Sequence, residues 1–539
     1  MVHIKLSEHL IHPWSVISDT FYLRGFFWYE NAYYEACLPE EANRIASELD
    51  FRRFVEKLNG NYALICKRDE AVYVAADRIC SYPLFYGKRE DDVMISDRAA
   101  WITRDMQLGG GDTEAQLELL AAQMVIGGKT LFSGVLQVQG GQYLVMNHQS
   151  GAVSVTDYYT HQHTERLPDD IGFLKAEFRS VTQDVFSRVL RYVDGRKIVL
   201  FLSGGYDSRL VATSLNRLGY KNVLCIAFGK ESDLEVKASK DVASKLGFEW
   251  RLLPYEKNWL LDRLQDEKLL QYWENASNAQ VVPYIQGIIL EASIASGAIP
   301  KDCVVISGNS GDVVEGNQFC GGFVPEGNYS ADDLADEILK KHFYAFGGER
   351  LAKRPQFRET IKAALSLKTD GIYSYEQAQD LYERFNWRER QCKYVVNDIR
   401  SYDEYLGVDW LLPLWDKAFV DYWLGVPTAL RANRNLYYRL VEDEEFLTAN
   451  IETPYLKTLK QSKKYLPLVV RALYPVKKLL GYLRRDSQFY TVTLQEFCRI
   501  LLFTKGFRAS LLSAQIYFTC NTVYQKLYGN VFRFIKDNA

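Results

Sequence analysis

The chain has 539 residues, of which 47% are hydrophobic, 14% aromatic and 25% charged, and its formal net charge is -3. High aromatic content with a small net charge excludes a wholly disordered chain. The near-neutral balance gives no reason to expect nucleic acid as a partner. At roughly 100–200 residues per domain, the length predicts about three domains.

The nine cysteines follow no CxxC, zinc or disulfide spacing. We interpret them as free thiols in a reducing compartment. The N-terminal residues lack the apolar stretch of a signal peptide, and no apolar run approaches the roughly 18 residues of a membrane span. We therefore expect a cytoplasmic protein without a transmembrane segment.

Residues 1–160 have the pattern of short strands joined by turns. The runs 71–76 and 142–146 are strand-like, with Asn-Gly and Gly-Gly turn signals nearby. Residues 160–170 are polar, rich in His, Thr and Asp, and predict a linker. The first domain is thus expected to be rich in β-structure.

From residue 171 the pattern changes to alternating strands and helices. Residues 197–202 form a continuous apolar run, as expected for a buried parallel strand. Helical patterns end at Gly219 and Gly247. Further strand-like runs follow, at residues 223–228, 250–253 and 304–306. This alternation predicts an α/β domain with a parallel sheet over residues 171–430.

The third zone, residues 431–539, has a helical pattern and a lopsided charge. Residues 453–485 contain nine Lys or Arg and no Asp or Glu. One interpretation is a solvated basic helix face, which also allows weak binding to a membrane surface or an acidic partner. The other is that one of these lysines serves a catalytic site.

The most informative segment is residues 201–209, Phe-Leu-Ser-Gly-Gly-Tyr-Asp-Ser-Arg, where the predicted buried strand turns into a helix. Two glycines let the backbone approach an anion, and the helix N-terminus offers free N–H groups. Asp207 repels a phosphate unless Mg²⁺ lies between them. The alternative is a tight turn in which Asp and Ser only cap the helix.

Ser-Gly-Gly-x-Asp-Ser directly after an apolar strand resembles the pyrophosphate loop of the ATP pyrophosphatases. Enzymes with this loop transfer AMP from ATP to a carboxylate or carbonyl oxygen, release pyrophosphate, and let a nitrogen or sulfur nucleophile attack. The resemblance implies Mg²⁺ and ATP as cofactors. It assigns nucleotide binding to Ser203, Gly204, Gly205, Tyr206, Asp207 and Ser208.

Later segments resemble the asparagine synthetase family. Residues 229–238 are similar to its second nucleotide segment, and residues 306–316, Ile-Ser-Gly-Asn-Ser-Gly-Asp-Val-Val-Glu-Gly, to its Ser-Gly-x-Gly-x-Asp-Glu loop. The resemblance implies that Ser307 and Gly308 bind nucleotide. It also implies that Asp312, together with Asp207, holds the metal.

Residues 409–416, Asp-Trp-Leu-Leu-Pro-Leu-Trp-Asp, resemble the family segment Glu-x-Arg-x-Pro-Phe-Leu-Asp. Asp409 would then lie near the acceptor and act on the attacking nitrogen, which must lose a proton; a structural role is the alternative. The family also has a downstream catalytic Lys. The candidates are Lys457, Lys460, Lys463 and Lys464, with Lys457 and Lys460 placed in the predicted site.

The first zone resembles the family's glutaminase domain, on residues 58–63, 77–86 and 129–141. The fold implied is a two-sheet sandwich of the N-terminal-nucleophile type. An active glutaminase uses Cys at position 2, where this sequence has Val. We therefore expect an inactive glutaminase half that persists as a scaffold.

The fold class predicted is α/β: an N-terminal-nucleophile-hydrolase-like β-sandwich (1–160), a parallel-sheet pyrophosphatase domain (171–430) and a basic helical C-terminal region (431–539). The predicted activity is an ATP-dependent carbon–nitrogen ligase that adenylates aspartate or a related acid. We expect a small-molecule carboxylate and ammonia or an amine as partners, and a homodimer as the candidate assembly.

There are three alternatives to this activity. The chain could be a nucleotide-binding pseudoenzyme or scaffold, although its intact loop and both acids argue against that. It could also be a relative that closes lactam rings or cyclises peptides, because Leu411 replaces the family Arg and Asn309 and Val313 alter the second loop. A thiolating, NAD-forming or GMP-forming pyrophosphatase would explain the loop but not the first domain.

Overall fold

The structure is a computed structural model that describes residues 2–8, 11–108, 110–229, 231–254, 276–281, 286–316, 318–343 and 352–451. Its N-terminal unit, residues 2–157, contains the strands β1 (Val2–Lys5), β2 (Ser15–Ser18), β3 (Phe21–Tyr29), β4 (Ala32–Glu35), β5 (Asn59–Lys67), β6 (Ala71–Ala76), β7 (Leu84–Arg89), β8 (Asp92–Ser96), β9 (Val135–Val138), β10 (Gln142–Asn147) and β11 (Val153–Asp157). The helices of this unit are α1 (Glu40–Asn43), α2 (Glu48–Lys57), α3 (Ala99–Asp105) and α4 (Thr113–Ala122).

These strands form two sheets that pack face to face. The larger is antiparallel, with the order β11-β10-β6-β5-β3-β2 and β4 paired to β3; the smaller has the order β1-β8-β7-β9. Apolar side chains of β6 and β8, such as Val74 and Ile95, share one core. Helix α2 covers the outer face of the larger sheet through Phe51, and α3 that of the smaller sheet through Ile102. The four layers confirm the predicted two-sheet sandwich.

The C-terminal unit, residues 171–451, contains β12 (Lys197–Phe201), β13 (Val223–Gly229), β14 (Glu249–Pro254), β15 (Cys303–Ser307), β16 (Asn328–Ser330), β17 (Ile372–Ser374) and β18 (Asp409–Leu411). Its α-helices are α5 (Ile171–Val193), α6 (Tyr206–Arg217), α7 (Leu234–Leu246), α8 (Gln286–Ala295), α9 (Gly311–Val314), α10 (Ala331–His342), α11 (Pro355–Ala364), α12 (Tyr375–Phe385), α13 (Val396–Ser401), α14 (Lys417–Gly425), α15 (Thr428–Arg431) and α16 (Asn435–Val441). Among its described residues there are also two 3-10 turns (Pro413–Trp415 and Ala432–Arg434) and three π-helical segments (Asn386–Val395, Tyr402–Leu406 and Glu442–Phe446).

The central feature of this unit is a parallel sheet with the strand order β14-β13-β12-β15-β18. Its strands read as apolar runs because both faces are buried; Val199, Leu200, Val304 and Val305 are fully buried. The predicted strands at 197–202, 223–228, 250–253 and 304–306 are confirmed. Gly247 ends α7 in the left-handed region, at φ 69°, as the pattern predicted.

The predicted linker, residues 160–170, is packed against the C-terminal unit. His161 is fully buried, and the amide of Thr164 donates to the carbonyl of Leu424. His163 Nε2 lies 2.6 Å from Glu383 Oε2. The polar residues of this predicted linker supply hydrogen bonds to the unit that follows. No helix in the described ranges is both long and apolar enough to cross a bilayer.

Candidate active site

A cavity lies where the order of the parallel sheet reverses, between β12 and its neighbour β15. Phe201 at the end of β12 is in register with Ser307 at the end of β15. The loops after both strands therefore emerge side by side at the carboxyl edge, where α/β sheets bind their ligands. The cavity has a volume of about 830 Å³ and is lined by both loops.

The first loop is held by its own serines. Ser208 Oγ accepts the amide of Ser203 at 3.0 Å and lies 3.0 Å from Ser203 Oγ, which accepts the amide of Gly205 at 3.1 Å. Gly205 precedes α6, and no side chain of the described residues caps that helix. Its first amides and the positive end of its dipole are therefore available to an anion.

Not every predicted residue of this loop faces the cavity. Ser203, Gly205, Asp207 and Ser208 line it. The ring of Tyr206 points away and packs 4.5 Å from that of Tyr438, between ring centroids, with its hydroxyl hydrogen-bonded to Glu442. The backbone of Gly204 is hydrogen-bonded to the carboxylate of Glu235, at the start of α7.

The second loop rests directly on the first. A Cβ added to Gly308 would lie 2.6 Å from the amide nitrogen of Ser208, closer than any side chain allows. A Cβ at Gly311 would lie 3.0 Å from the Asp207 carboxyl carbon. Only glycines let the two loops meet this closely, which brings Ser307, Gly308 and Asp312 to the same cavity as Asp207.

Two carboxylates share one guanidinium on the floor of this cavity. Arg434 contacts both Asp207 and Glu315, and Tyr437 donates its hydroxyl to Asp207 Oδ1 at 2.9 Å. One guanidinium neutralises only one carboxylate. Burial raises the pKa of Asp207, and the charge of Asp312 raises it further against the opposing effect of Arg434. Burial and the charge of Asp207 likewise raise the pKa of Glu315 well above its usual range.

A cation that the sequence pattern did not indicate lies on the cavity wall. Lys341, at the end of α10, donates to Gln318 Oε1 at 2.5 Å, and Gln318 Nε2 donates to Asp312 Oδ2 at 2.5 Å. Burial lowers the pKa of Lys341 to about 8, against the charges of Asp312, Cys320 and Glu383. The insertion of this side chain into the cavity depends on how α10 packs, which no local motif encodes.

Polar side chains of a π-helical segment, Asn386–Val395, form the adjoining wall. Asn386 Nδ2 donates to Gln318 Oε1 at 3.3 Å, and Gln391 Nε2 donates to Asn386 Oδ1 at 2.9 Å. Ser310 of the second loop donates to Gln391 Oε1 at 2.7 Å. π-Helical turns recur at functional sites. This run of buried polar residues belongs to none of the motifs described above.

The structure does not bring Asp409 to this cavity. Asp409 begins β18 in register with Val304, so it lies at the amino edge of the sheet, opposite the loops. It is 3% exposed and accepts from Tyr192 and Arg196, each at 2.8 Å. His12 Nε2 lies 3.1 Å from Asp409 Oδ1. This placement gives Asp409 a role in joining the two units, and we do not retain it in the proposed site.

Lys457, Lys460, Lys463 and Lys464 lie outside the described residues.

Asp416, the second acid of the motif at residues 409–416, caps α14 by accepting the amide of Ala418 at 2.9 Å. It also receives two hydrogen bonds from Arg188, at 2.8 and 2.7 Å. These contacts give Asp416 a structural role.

The described cysteines are free thiols: Cys37, Cys66, Cys80, Cys225, Cys303, Cys320 and Cys392. In the N-terminal unit, burial raises the pKa of both Cys66 and Cys80 to about 12. A thiol with so high a pKa is a poor nucleophile near neutrality, because the thiolate is the reactive form. Cys37 is exposed.

Within the described ranges, no group of three or more His, Cys, Asp or Glu has the geometry of a metal site. Mg²⁺ commonly takes only one or two protein carboxylates and completes its shell with water and substrate phosphates. Asp207 and Asp312 are close enough for the charge of one to raise the pKa of the other. A divalent cation would relieve that repulsion, so these two residues fit a magnesium ion that arrives with a nucleotide.

Comparison with protein families gives two matches that lie in tandem. Residues 47–159 match a glutamine amidotransferase domain, and residues 178–441 match asparagine synthase. The chain is also 23% identical over 281 residues to the microcin J25-processing protein McjC of Escherichia coli. That alignment covers 51% of this chain and 51% of the relative, so the chain spans about half the length of the curated protein that it matches.

Two solved structures show a weak likeness. An NH3-dependent NAD synthetase from Campylobacter jejuni has a TM-score of 0.18 and 18% identity, covering 36% of this chain and 78% of its own. A glutamine phosphoribosylpyrophosphate amidotransferase from B. subtilis has a TM-score of 0.17 and 11% identity, covering 54% of this chain and 62% of its own. TM-scores this low support no inference.

Proposed function

The chain belongs to the asparagine synthetase family, and from that premise we propose that it is an ATP-dependent amide ligase. In the proposed reaction, a carboxylate is activated as its acyl-adenylate and then converted to an amide by ammonia or an amine. The observation that carries the proposal is the meeting of two glycine-containing loops at the carboxyl edge of the parallel sheet, over a cavity with buried acids.

Each part of the cavity suits one step of this reaction. The uncapped N-terminus of α6 and the serines 203 and 208 would bind the departing pyrophosphate. Asp207 and Asp312 would hold Mg²⁺, which when bound neutralises phosphate charge. Arg434 and Tyr437 keep Asp207 oriented towards the cavity floor. Ser307 and Gly308 would contact the nucleotide from the second loop.

For the N-terminal unit, we propose a scaffold that does not hydrolyse glutamine. The burial of Cys66 and Cys80 supports this, because neither thiol can form a thiolate readily. The sandwich instead shares a buried core with the C-terminal unit and is tied to it by Arg24, which pairs with Asp403 at 3.1 Å and Glu404 at 3.2 Å. Nitrogen would then come from free ammonia or from an amine of the substrate.

A peptide carboxylate is the second candidate acceptor, beside aspartate or a related acid. Two observations favour it: the likeness to a microcin-processing protein and the size of the cavity. At about 830 Å³, the cavity is near the upper end of the roughly 300–1,000 Å³ typical of ligand sites, which leaves space beside a nucleotide.

The test is ATP–pyrophosphate exchange with Mg²⁺ and a panel of acids: aspartate, sugar acids and short peptides with a free carboxylate. We expect exchange with at least one acid, followed by amide formation when ammonia or an amine is added. Tight ATP binding without exchange for any acid would favour the pseudoenzyme. Glutamate release from glutamine would contradict the proposed inactive glutaminase half.

A further inference from the structure

Lys341 lies on the cavity wall and forms no direct ion pair with a carboxylate of the described residues, although the charges of Asp312 and Glu383 act on it from a greater distance. Its ammonium donates to a neutral group, the amide oxygen of Gln318, at 2.5 Å. The preceding residue shows the contrast: Lys340 is 73% exposed and pairs with Glu337 at 3.2 Å on the surface of the same helix. Removing a cation from water is costly unless an anion compensates it. Lys341 is therefore placed to receive an anionic ligand.

The position of this ammonium relative to the second loop is fixed by a chain of amides. Gln318 Oε1 accepts from both Lys341 and Asn386, while Gln318 Nε2 donates to Asp312. Asn386 is in turn held by Gln391, which binds Ser310. Gln318 thus connects Lys341 to Asp312 at the phosphate end of the cavity, since Asp312 lies beside Asp207 and the first loop.

We propose that Lys341 is a further pyrophosphate-binding residue of this site and that Gln318 is its positioning residue. The inference rests on the proposed amide-ligase function. In the adenylation step, a carboxylate oxygen of the acceptor bonds to the α-phosphorus while the bond from that phosphorus to the oxygen bridging to the β-phosphorus breaks. The electron pair of that bond stays on the departing pyrophosphate, and the ammonium of Lys341 offsets the charge that develops there.

The experiment is calorimetric titration of the full chain with inorganic pyrophosphate in the presence of Mg²⁺. Lys341→Met should weaken binding by about tenfold to a hundredfold, the usual effect of losing a charge-assisted hydrogen bond. Lys341→Arg should keep most of the affinity because it keeps the charge. Lys340→Met is the matched control, one residue away on the exposed face, and should bind as the wild type does.

A second variant tests the site without removing the lysine. Gln318→Glu would give Lys341 an internal carboxylate partner and should weaken pyrophosphate binding by about tenfold or more. Thermal unfolding of each variant would identify a loss that comes from misfolding. Unchanged pyrophosphate affinity in both Lys341→Met and Gln318→Glu would overturn the assignment, as would an effect of Lys341→Met confined to the KM of the acceptor.

The two proposals can fail separately. Pyrophosphate binding that depends on Lys341, with no exchange for any acid, would support the binding site and overturn the ligase. Exchange at the wild-type rate in Lys341→Met, with unchanged pyrophosphate affinity, would support the ligase and overturn the role of Lys341.

Discussion

Both edges of the parallel sheet bury acidic side chains, but the partners of those side chains differ between the two edges. At the amino edge, Asp409 is matched by Arg196, His12 and Tyr192, all within 3.1 Å. At the carboxyl edge, Arg434 is shared between Asp207 and Glu315, and Asp312 lies close by. In the first cluster several donors surround one carboxylate, whereas in the second one guanidinium is shared between two carboxylates.

This difference distinguishes the structural cluster at the amino edge from the candidate ligand site at the carboxyl edge. Burial works to raise the pKa of Asp409, but its partners outweigh burial and hold that pKa below the usual range. The pKa of Asp207 is instead raised by burial and by its neighbouring acid. A buried acid whose pKa is lowered by its partners contributes to folding, whereas buried acids whose pKa is raised beside a cavity indicate a candidate functional site.

The largest effect is expected at the carboxyl edge. Asp207→Asn should reduce ATP–pyrophosphate exchange by about 10²–10³-fold, because it removes a carboxylate that would hold Mg²⁺ beside the phosphates. Its free energy of unfolding should change by no more than about 1 kcal/mol, since Arg434 keeps Glu315 as a partner. Exchange at the wild-type rate in this variant would show that Asp207 has no part in the site.

At the amino edge the expected effect is on stability. Asp409→Asn should lower the free energy of unfolding by about 3 kcal/mol, because Arg196 and His12 lose their buried counter-charge. Folded Asp409→Asn should still exchange pyrophosphate, since Asp409 does not line the cavity. Asp336→Asn is the control: Asp336 forms an exposed pair with Arg358, so its loss should cost less than about 1 kcal/mol. Denaturant unfolding measures both variants.

The smallest effect is a pH dependence of the same cluster. Burial lowers the pKa of His12, but its contacts with Asp409 and Glu35 outweigh this and raise that pKa from 6.5 to about 9. The folded protein therefore binds a proton more tightly than the unfolded chain. The stabilisation is fully present below pH 6.5 and is lost as the pH rises through 9; it amounts to at most about 3 kcal/mol.

The measurement is the difference in free energy of unfolding between His12→Gln and the wild type across this pH range. That difference should shrink as the pH rises from 6.5 to 9. A constant difference for His12→Gln would mean that His12 is not the proton-binding group of the cluster.

Much of the fold could be predicted from the sequence because its elements are encoded locally. The apolar runs of β12 and β15 predict strands that are buried on both faces. Gly247 ends α7 because glycine readily adopts the left-handed conformation found there. The edge strand β18 is only three residues long, Asp409–Leu411, which is too short for an apolar pattern to predict a strand. Without that strand, the side of the sheet on which Asp409 lies could not be inferred.

The sequence by itself determined the two glycine-containing loops and the acids that follow them, because a strand, a tight turn and a helix N-terminus are set by neighbouring residues. Tertiary structure decided the rest of the site. Lys341, Gln318 and Arg434 reach the cavity from segments distant along the chain, and Asp409 is removed from it by the direction of a strand. Charges act through space, so their balance is known only when the packing is known.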